Sequence, residues 1–220
     1  MMAVFSLNTL LTAMRHVGCG DPHPVFAKGL RYVPPSAKDT ITREAVAELS
    51  PYGFTRGDRF TPEFEDLLHL LDHPAQEYFG HARDTTGQIG VLVATNVCVV
   101  CRGDQVELTE VDSDTHPAEA LVAQLPHYPP ADIRPFSLPQ EDFQTPQGSD
   151  IFDDAPARSR EAQELDALFA QPHYGVGQLQ TTGKIVNYLD LEAGRVGITL
   201  ADGYISVLPG ESRNLSQKLK

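Results

Sequence analysis

The chain has 220 residues, of which 17 are basic and 30 acidic, so its formal net charge is −13. This excess of acidic groups argues against nucleic acid and anionic membrane surfaces as partners, because both would be repelled. No apolar stretch reaches the roughly 18 residues that a membrane-spanning helix needs, so we expect no membrane insertion. The start lacks the basic segment and cleavage site of a secretory signal, and the three cysteines do not form an even set for disulfides. We therefore expect a cytoplasmic protein that folds as a single domain over residues 1–220.

The first part of the chain predicts a short strand, Phe5–Leu7, followed by three helices. The helices are expected from Asn8 to Gly18, from Thr42 to Leu49 and from Thr61 to Pro74. The third has the clearest signal, because Thr61 can cap it and Pro62 occupies its first position. Its apolar residues follow the spacing of one helix face, which predicts that this face packs against a core; they are Phe64, Leu67, Leu68 and Leu71.

A β-meander follows in a valine-rich region. The three strands are predicted at Ile89–Ala94, Val97–Cys101 and Gln105–Val111, with turns at Thr95-Asn96 and Gly103-Asp104. Asparagine and glycine tolerate the positive φ that two-residue hairpin turns require. The middle strand is apolar at successive positions, which predicts that both of its faces are covered and that it lies inside a sheet.

The second part of the chain predicts the same kinds of element. They are a helix from Pro117 to Pro126, an edge strand near Ile133–Leu138, a helix at Arg158–Ala170, a meander at Ile185–Leu208 with turns at Ala193-Gly194 and Asp202-Gly203, and a terminal helix from about Gly210. Residues 140–157 contain acidic side chains, glycine and proline but no basic residue, which is typical of a linker.

The two meanders indicate an internal repeat. Pro74 and Pro172, Val97 and Arg195, and Asp104 and Asp202 are each 98 residues apart, and Phe5-Ser6-Leu7 recurs as Phe136-Ser137-Leu138. We interpret the chain as two diverged halves, about 1–131 and 132–220, that share one plan of strand, helices, meander and helix. The fold class expected from these elements is α+β.

Residue patterns that could carry chemistry have structural explanations. Cys98 and Cys101 have redox-like spacing, but they lie inside a predicted strand, where positions three apart point to opposite faces. His69 and His73 have the spacing of a zinc pair, but Pro74 follows directly and distorts the helix end. No nucleophile elbow or phosphate loop is present. We expect no catalytic residue, no metal and no cofactor.

The order of elements resembles that of a known family. The stretches that carry the resemblance are EFEDLLHLLDHPAQEYFG, GVLVATNVCVVCRGDQVELTEV, PAEALVAQLPHYPP, ELDALFAQPHYGVGQLQ and YLDLEAGRVGITLADGYISVLP. They are similar to the EspG family, the ESX (type VII) secretion-associated chaperones of actinobacteria. The resemblance implies a cytosolic, non-enzymatic α+β protein with a central twisted antiparallel sheet, built from two pseudo-twofold-related halves and flanked by helical bundles.

The resemblance also implies a partner. Such chaperones bind the helical tip of a PPE protein within a PE–PPE heterodimer, keep it soluble and deliver it for export. By position, the contacts here are expected from two corresponding loops and the terminal helix; the residues are Asp84, Thr85, Thr86, Gly87, Gln178, Gln180, Thr181, Thr182, Leu215 and Leu219. The alternatives are a small-ligand-binding protein or enzyme that uses a cleft between the halves, and an adaptor with no client.

Overall fold

A computed structural model describes residues 2–29, 33–144 and 158–220. The contacts divide the chain into two compact units, Met1–Leu125 and Pro126–Lys220. Each unit contains an antiparallel sheet with helices packed on it, so the class is α+β as predicted.

The first unit has a five-stranded sheet in the order β1-β7-β6-β5-β4 and a separate hairpin, β2-β3. Its elements are β1 (Met2–Ser6), α1 (Leu7–His16), α2 (Lys38–Leu49), β2 (Thr55–Arg56), β3 (Arg59–Phe60), α3 (Pro62–Asp72), β4 (Glu77–Asp84), β5 (Gln88–Ala94), β6 (Val97–Arg102), β7 (Gln105–Glu110) and α4 (Pro117–Val122). A 3₁₀ segment, Pro24–Gly29, lies between α1 and α2. The predicted meander is confirmed as β5, β6 and β7, to within one residue at each end.

The second unit also has a five-stranded sheet, in the order β9-β10-β11-β12-β8. Its elements are β8 (Phe136–Pro139), α5 (Gln140–Gln144), α6 (Arg160–Phe169), β9 (His173–Thr181), β10 (Lys184–Leu191), β11 (Gly194–Ala201), β12 (Tyr204–Pro209) and α7 (Ser212–Leu219). Helix α5 occupies the first five residues of the predicted linker. The rest of that linker, 145–157, lies outside the described residues.

The two sheets have the same topology, with β8 in the place of β1 and β9 to β12 in the places of β4 to β7. The predicted constant spacing of 98 residues is nevertheless wrong at the turns. The residues that enter the first meander turn, Ala94 and Leu191, are 97 apart, whereas those that enter the second, Arg102 and Ala201, are 99 apart. The spacing changes because β11 has eight residues and β6 has six.

Several local predictions need correction. Strands β4 and β9 precede the meanders and extend each of them by one strand, and neither was predicted as a full strand. Helix α1 begins at Leu7 and not at Asn8, because Ser6 caps it with a hydroxyl that accepts the Thr9 N–H. The first turn of the second meander is Glu192-Ala193, because Leu191 pairs with Gly194. The repeated tripeptide is out of step by two residues, since the partner register makes Leu138 the equivalent of Phe5.

The core of the first unit lies between one sheet face and the helices. Phe5, Leu92, Val99 and Leu108 come from four adjacent strands and share that face, where they pack against α1 and α3. The predicted stripe of α3 is confirmed in part: its buried members are Phe64, Leu68 and Leu71. Burial of such side chains stabilises the fold by about 1.5–3 kcal/mol each.

The second unit is covered differently on its two faces. Helix α6 packs its buried residues Ala162, Leu165 and Leu168 against one face, together with Val196 and Val207 of the sheet. Helix α7 packs against the opposite face, on β9, β10 and β11. The close approach of α7 requires Gly197, since a Cβ there would lie 2.8 Å from Leu215 Cδ2.

A buried ion pair links β10 to β11 in the second unit. Arg195 donates from Nε to Asp190 Oδ1 at 2.6 Å and from Nη2 to Asp190 Oδ2 at 2.9 Å, and Nη2 also donates to the Pro126 carbonyl at 2.8 Å. The guanidinium lies 4.4 Å from the centre of the Tyr188 ring. The side chains of Arg195 and Asp190 are only 6% and 3% exposed, so water cannot solvate either charge if its partner is removed.

Removing one member of this pair is expected to destabilise the chain strongly. Arg195→Met should lower the free energy of unfolding by about 3–5 kcal/mol, because Asp190 stays buried without a partner. Arg102→Met, in the exposed Arg102–Glu107 pair, is the matched control and should cost about 1 kcal/mol or less. Urea denaturation of both variants measures the difference. Equal costs for the two substitutions would contradict this account.

The cysteines of β6 are core residues. Cys98 and Cys101 are buried, unbridged and on opposite faces of the strand, as predicted. Burial raises the pKa of Cys98 to about 11 and that of Cys101 to about 12, because the surrounding apolar groups disfavour a thiolate. Neither thiol is therefore reactive in the folded chain near neutral pH.

Thiol labelling tests this conclusion. In a Cys19→Ser variant, a disulfide reagent at about pH 8 should label neither remaining thiol in the native state, since almost no thiolate is present at that pH. Both should react after denaturation. Rapid labelling of the native variant would show that β6 is not buried as described.

Candidate partner-binding surface

The predicted loop of the first unit is a tight turn closed by its own side chains. Asp84 Oδ1 accepts hydrogen bonds from the Thr86 hydroxyl at 2.6 Å, the Thr86 N–H at 2.7 Å and the Gly87 N–H at 3.1 Å. These bonds lower the pKa of Asp84 below its usual value, and the bond from the Thr86 side chain has the largest effect. Asp84 and Thr86 bind each other, whereas the exposed Thr85 side chain takes no part in these hydrogen bonds.

The corresponding prediction in the second unit falls largely on strands. Thr181 pairs with Lys184, so the turn itself is only Thr182-Gly183. Gln178 and Gln180 lie inside β9, which corrects the prediction that they belong to a loop. Gln178 Nε2 donates to Asn187 Oδ1 at 2.9 Å, and Gln180 Nε2 donates to Gln178 Oε1.

These amides belong to a larger exposed surface on the β9–β10 hairpin and the neighbouring strand β11. The strand register puts six side chains on one face, which we call the open face: Val176, Gln178, Gln180, Ile185, Asn187 and Leu200. Its apolar members are well exposed, with Val176 at 40%, Ile185 at 50% and Leu200 at 58%. The same face is buried under α6 further along the sheet, so the helix covers only part of it.

The equivalent surface of the first unit is covered. The 3₁₀ segment Pro24–Gly29 lies on the β4–β5 hairpin, where a Cβ on Gly90 would be 3.1 Å from Val25 Cγ1. The ring of His23, next to this segment, lies edge-on to Phe79 with 4.8 Å between ring centres. His23 accepts the Val25 N–H at 3.2 Å, and burial lowers its pKa. Among the described residues, nothing covers the β9–β10 hairpin in the same way.

Two of the predicted contact residues are not on the surface. Leu215 is 0% and Leu219 1% exposed, because α7 turns its apolar stripe towards the sheet of the second unit. The exposed side of α7 consists instead of polar and basic side chains, among them Arg213, Gln217 and Lys218. The prediction that α7 is amphipathic is confirmed, but its apolar face packs against the sheet of its own unit and is not exposed to a partner.

The histidines of α3 lie close to polar neighbours. His73 Nδ1 is 2.8 Å from Asp72 Oδ2, and the Gly20 N–H donates to the same carboxylate at 3.1 Å. His69 Nδ1 is 3.8 Å from Cys19 Sγ. In residues 2–29, 33–144 and 158–220, no group of three or more acidic, histidine or cysteine side chains is arranged to hold a metal ion. No helix in these ranges is both long and apolar enough to span a bilayer.

Sequence patterns alone could not identify the open face. Val176 and Ile185 occupy apolar positions of strands, where a buried residue is the ordinary expectation. A signal was present in the repeat itself. The first half has a proline-containing segment, Pro24–Gly29, between β1 and α3, whereas the described residues of the corresponding interval in the second half form α5 and α6.

Comparison with known proteins agrees with the fold. No curated protein matches the chain at a significant level. Among solved structures, the Mycobacterium tuberculosis type VII secretion system chaperone EspG5, in complex with a PE25–PPE41 dimer, is similar with a TM-score of 0.68 and 11% identity. The match covers 99% of this chain and 94% of EspG5. The model of the EspG family matches residues 6–220. With nearly its whole length matched, the chain belongs to the EspG family.

Proposed function

We propose that this protein is a cytoplasmic, non-enzymatic chaperone of a type VII secretion system. It binds the helical tip of a secreted PPE-like protein in a PE–PPE heterodimer. By binding this tip, the chaperone keeps the client soluble for export. EspG5, which has the same fold, was solved with a PE25–PPE41 dimer, and this supports the class of client. The observation that carries the proposal for this chain is the open face, an apolar surface in the second unit whose equivalent in the first unit is covered.

The chemistry of the open face suits the end of a helix. Val176, Ile185 and Leu200 can cover apolar side chains of the client and remove them from water. A helix end also presents backbone N–H or C=O groups without partners inside the helix. The amides of Gln178, Gln180 and Asn187 can both donate and accept hydrogen bonds, so they can satisfy either kind of group.

The open face carries no formal charge although the chain is strongly acidic. A neutral surface imposes little repulsion on a client of either sign, so the affinity depends on apolar burial and hydrogen bonds. We propose Thr181 and Thr182 as neighbouring contacts, since their turn ends the same hairpin. The loop residues Asp84, Thr85, Thr86 and Gly87 are proposed as a separate contact of the first unit.

Co-purification with point variants tests the proposal. The chain should co-elute in size-exclusion chromatography with a PE–PPE-like heterodimer expressed from neighbouring genes. Ile185→Ser should weaken binding about tenfold, because an apolar contact worth roughly 1.4 kcal/mol is lost. Tyr204→Ser is the matched control, since Tyr204 is 53% exposed on the same sheet but outside the open face, and it should bind as the natural chain does.

Two other outcomes would refute different parts of the proposal. A client that stays soluble alone and never co-elutes would contradict the chaperone function. Binding that survives Ile185→Ser but fails in Tyr204→Ser would leave the function in place and refute the open face as its site.

A further inference from the structure

The outer edges of the two sheets differ in how they are closed. An edge strand presents unpaired backbone groups, so it can pair with another chain unless something blocks it. Strand β1 is blocked by side chains of its own unit. Ser6 donates its N–H to Glu48 Oε1 at 2.7 Å, and the Tyr52 hydroxyl donates to the Val4 carbonyl at 2.5 Å.

Strand β8 has the corresponding place in the second unit but lacks this closure. The shared register makes Ser137 the equivalent of Val4, whose backbone faces outward in β1. Ser137 is exposed, and its hydroxyl bonds inward to Ser206 of β12 at 2.8 Å. Within the described part of the chain, no side chain binds the outer backbone of β8 as Tyr52 and Glu48 bind that of β1.

A groove runs beside this open edge. It is a cavity of about 580 Å³ between β8, β12 and α7, which is within the range of small-ligand sites. Its walls are Pro135, Phe136, Ser137, Ser206, Val207, Leu208, Asn214, Gln217 and Lys218. All of these residues belong to the second unit, and all of them are described.

The charge of the groove is opposite to that of the chain. Lys218 is its one charged residue, no acidic side chain lines it, and Lys218 has no ion-pair partner among the described residues. The amides of Asn214 and Gln217 and the serine hydroxyls add hydrogen-bond donors along its walls.

We propose that β8 and this groove bind a short, extended peptide segment of a protein partner that carries a carboxylate. The segment adds to the outer edge of β8 through its backbone, and its acidic side chain enters the groove to pair with Lys218. Alternate side chains of an added strand point to the same face, so one residue in two can reach the groove. The prolines Pro135 and Pro139, on either side of Ser137, limit the pairing to a few residues because proline has no N–H.

This surface is distinct from the open face. Helix α7 packs against one face of the second sheet, whereas the open face lies on the opposite one. A second partner, or a second segment of the client, can therefore be bound without competing for the same side chains.

Peptide titration of the full-length chain tests the proposal. The probes are two acetylated and amidated pentapeptides, SVEVS and SVQVS, followed by heteronuclear NMR. SVEVS should shift the signals of Ser137, Asn214 and Gln217 and should bind about fivefold more tightly than SVQVS, the effect of one exposed ion pair. Lys218→Gln should abolish the preference. Lys184→Gln, which changes an exposed lysine outside the groove, should preserve it.

A separate variant tests backbone pairing of the peptide with the edge of β8. Ser137→Pro removes an outward N–H and should weaken both pentapeptides equally, without changing the preference for glutamate. The proposal is overturned if neither peptide shifts groove signals, or if the preference for SVEVS persists in Lys218→Gln. Client binding by the open face is measured separately, so its success or failure does not affect this result.

Discussion

A sheet face with apolar residues is stable in water only where another element covers it, and this constraint organises both units. The first unit has α1, α2, α3 and the 3₁₀ segment Pro24–Gly29 for one face of its sheet. In the described part of the same interval, the second unit has the short α5 and α6, and the core cluster of α6 does not include Val176, Ile185 or Leu200. Val176 and Ile185 of the β9–β10 hairpin and Leu200 of β11 therefore stay in contact with solvent. Such surfaces in soluble proteins are typical of binding sites.

The exposed β9–β10 hairpin is stabilised by buried contacts with the rest of the second unit. The buried pair of Asp190 and Arg195 joins β10 to β11, and Gly177 allows the Tyr188 ring to lie across β9. A Cβ on Gly177 would be 2.2 Å from the ring, so no other residue fits there without movement. Helix α7 closes the face behind the hairpin with Leu215 and Leu219. The open face is thus supported from behind, which keeps its side chains in a defined arrangement before a partner binds.

Local sequence signals predicted the positions of strands and helices better than they predicted which segments pack against them. Strands β5, β6 and β7 were predicted almost to the residue, because valine-rich runs alternate with turn residues that tolerate positive φ, as at Gly103. Strand β4 was missed, since its glycine, histidine and arginine weaken the alternation of Tyr78 and Ala82. The stripe of Leu215 and Leu219 predicted a buried face, but periodicity cannot say whether that face packs on its own chain or on a partner. The exposure of Ile185 was likewise beyond prediction, because it depends on which distant segment covers the strand.

The central claim is that a helical client docks on the open face of the second unit. Site-specific photocrosslinking in the assembled complex tests it most directly. A photoreactive side chain at position 185 or 200 should crosslink to the PPE-like subunit, while one at position 204, on the same sheet but outside the open face, should not. Crosslinks from position 204 alone, with none from 185 or 200, would contradict the account.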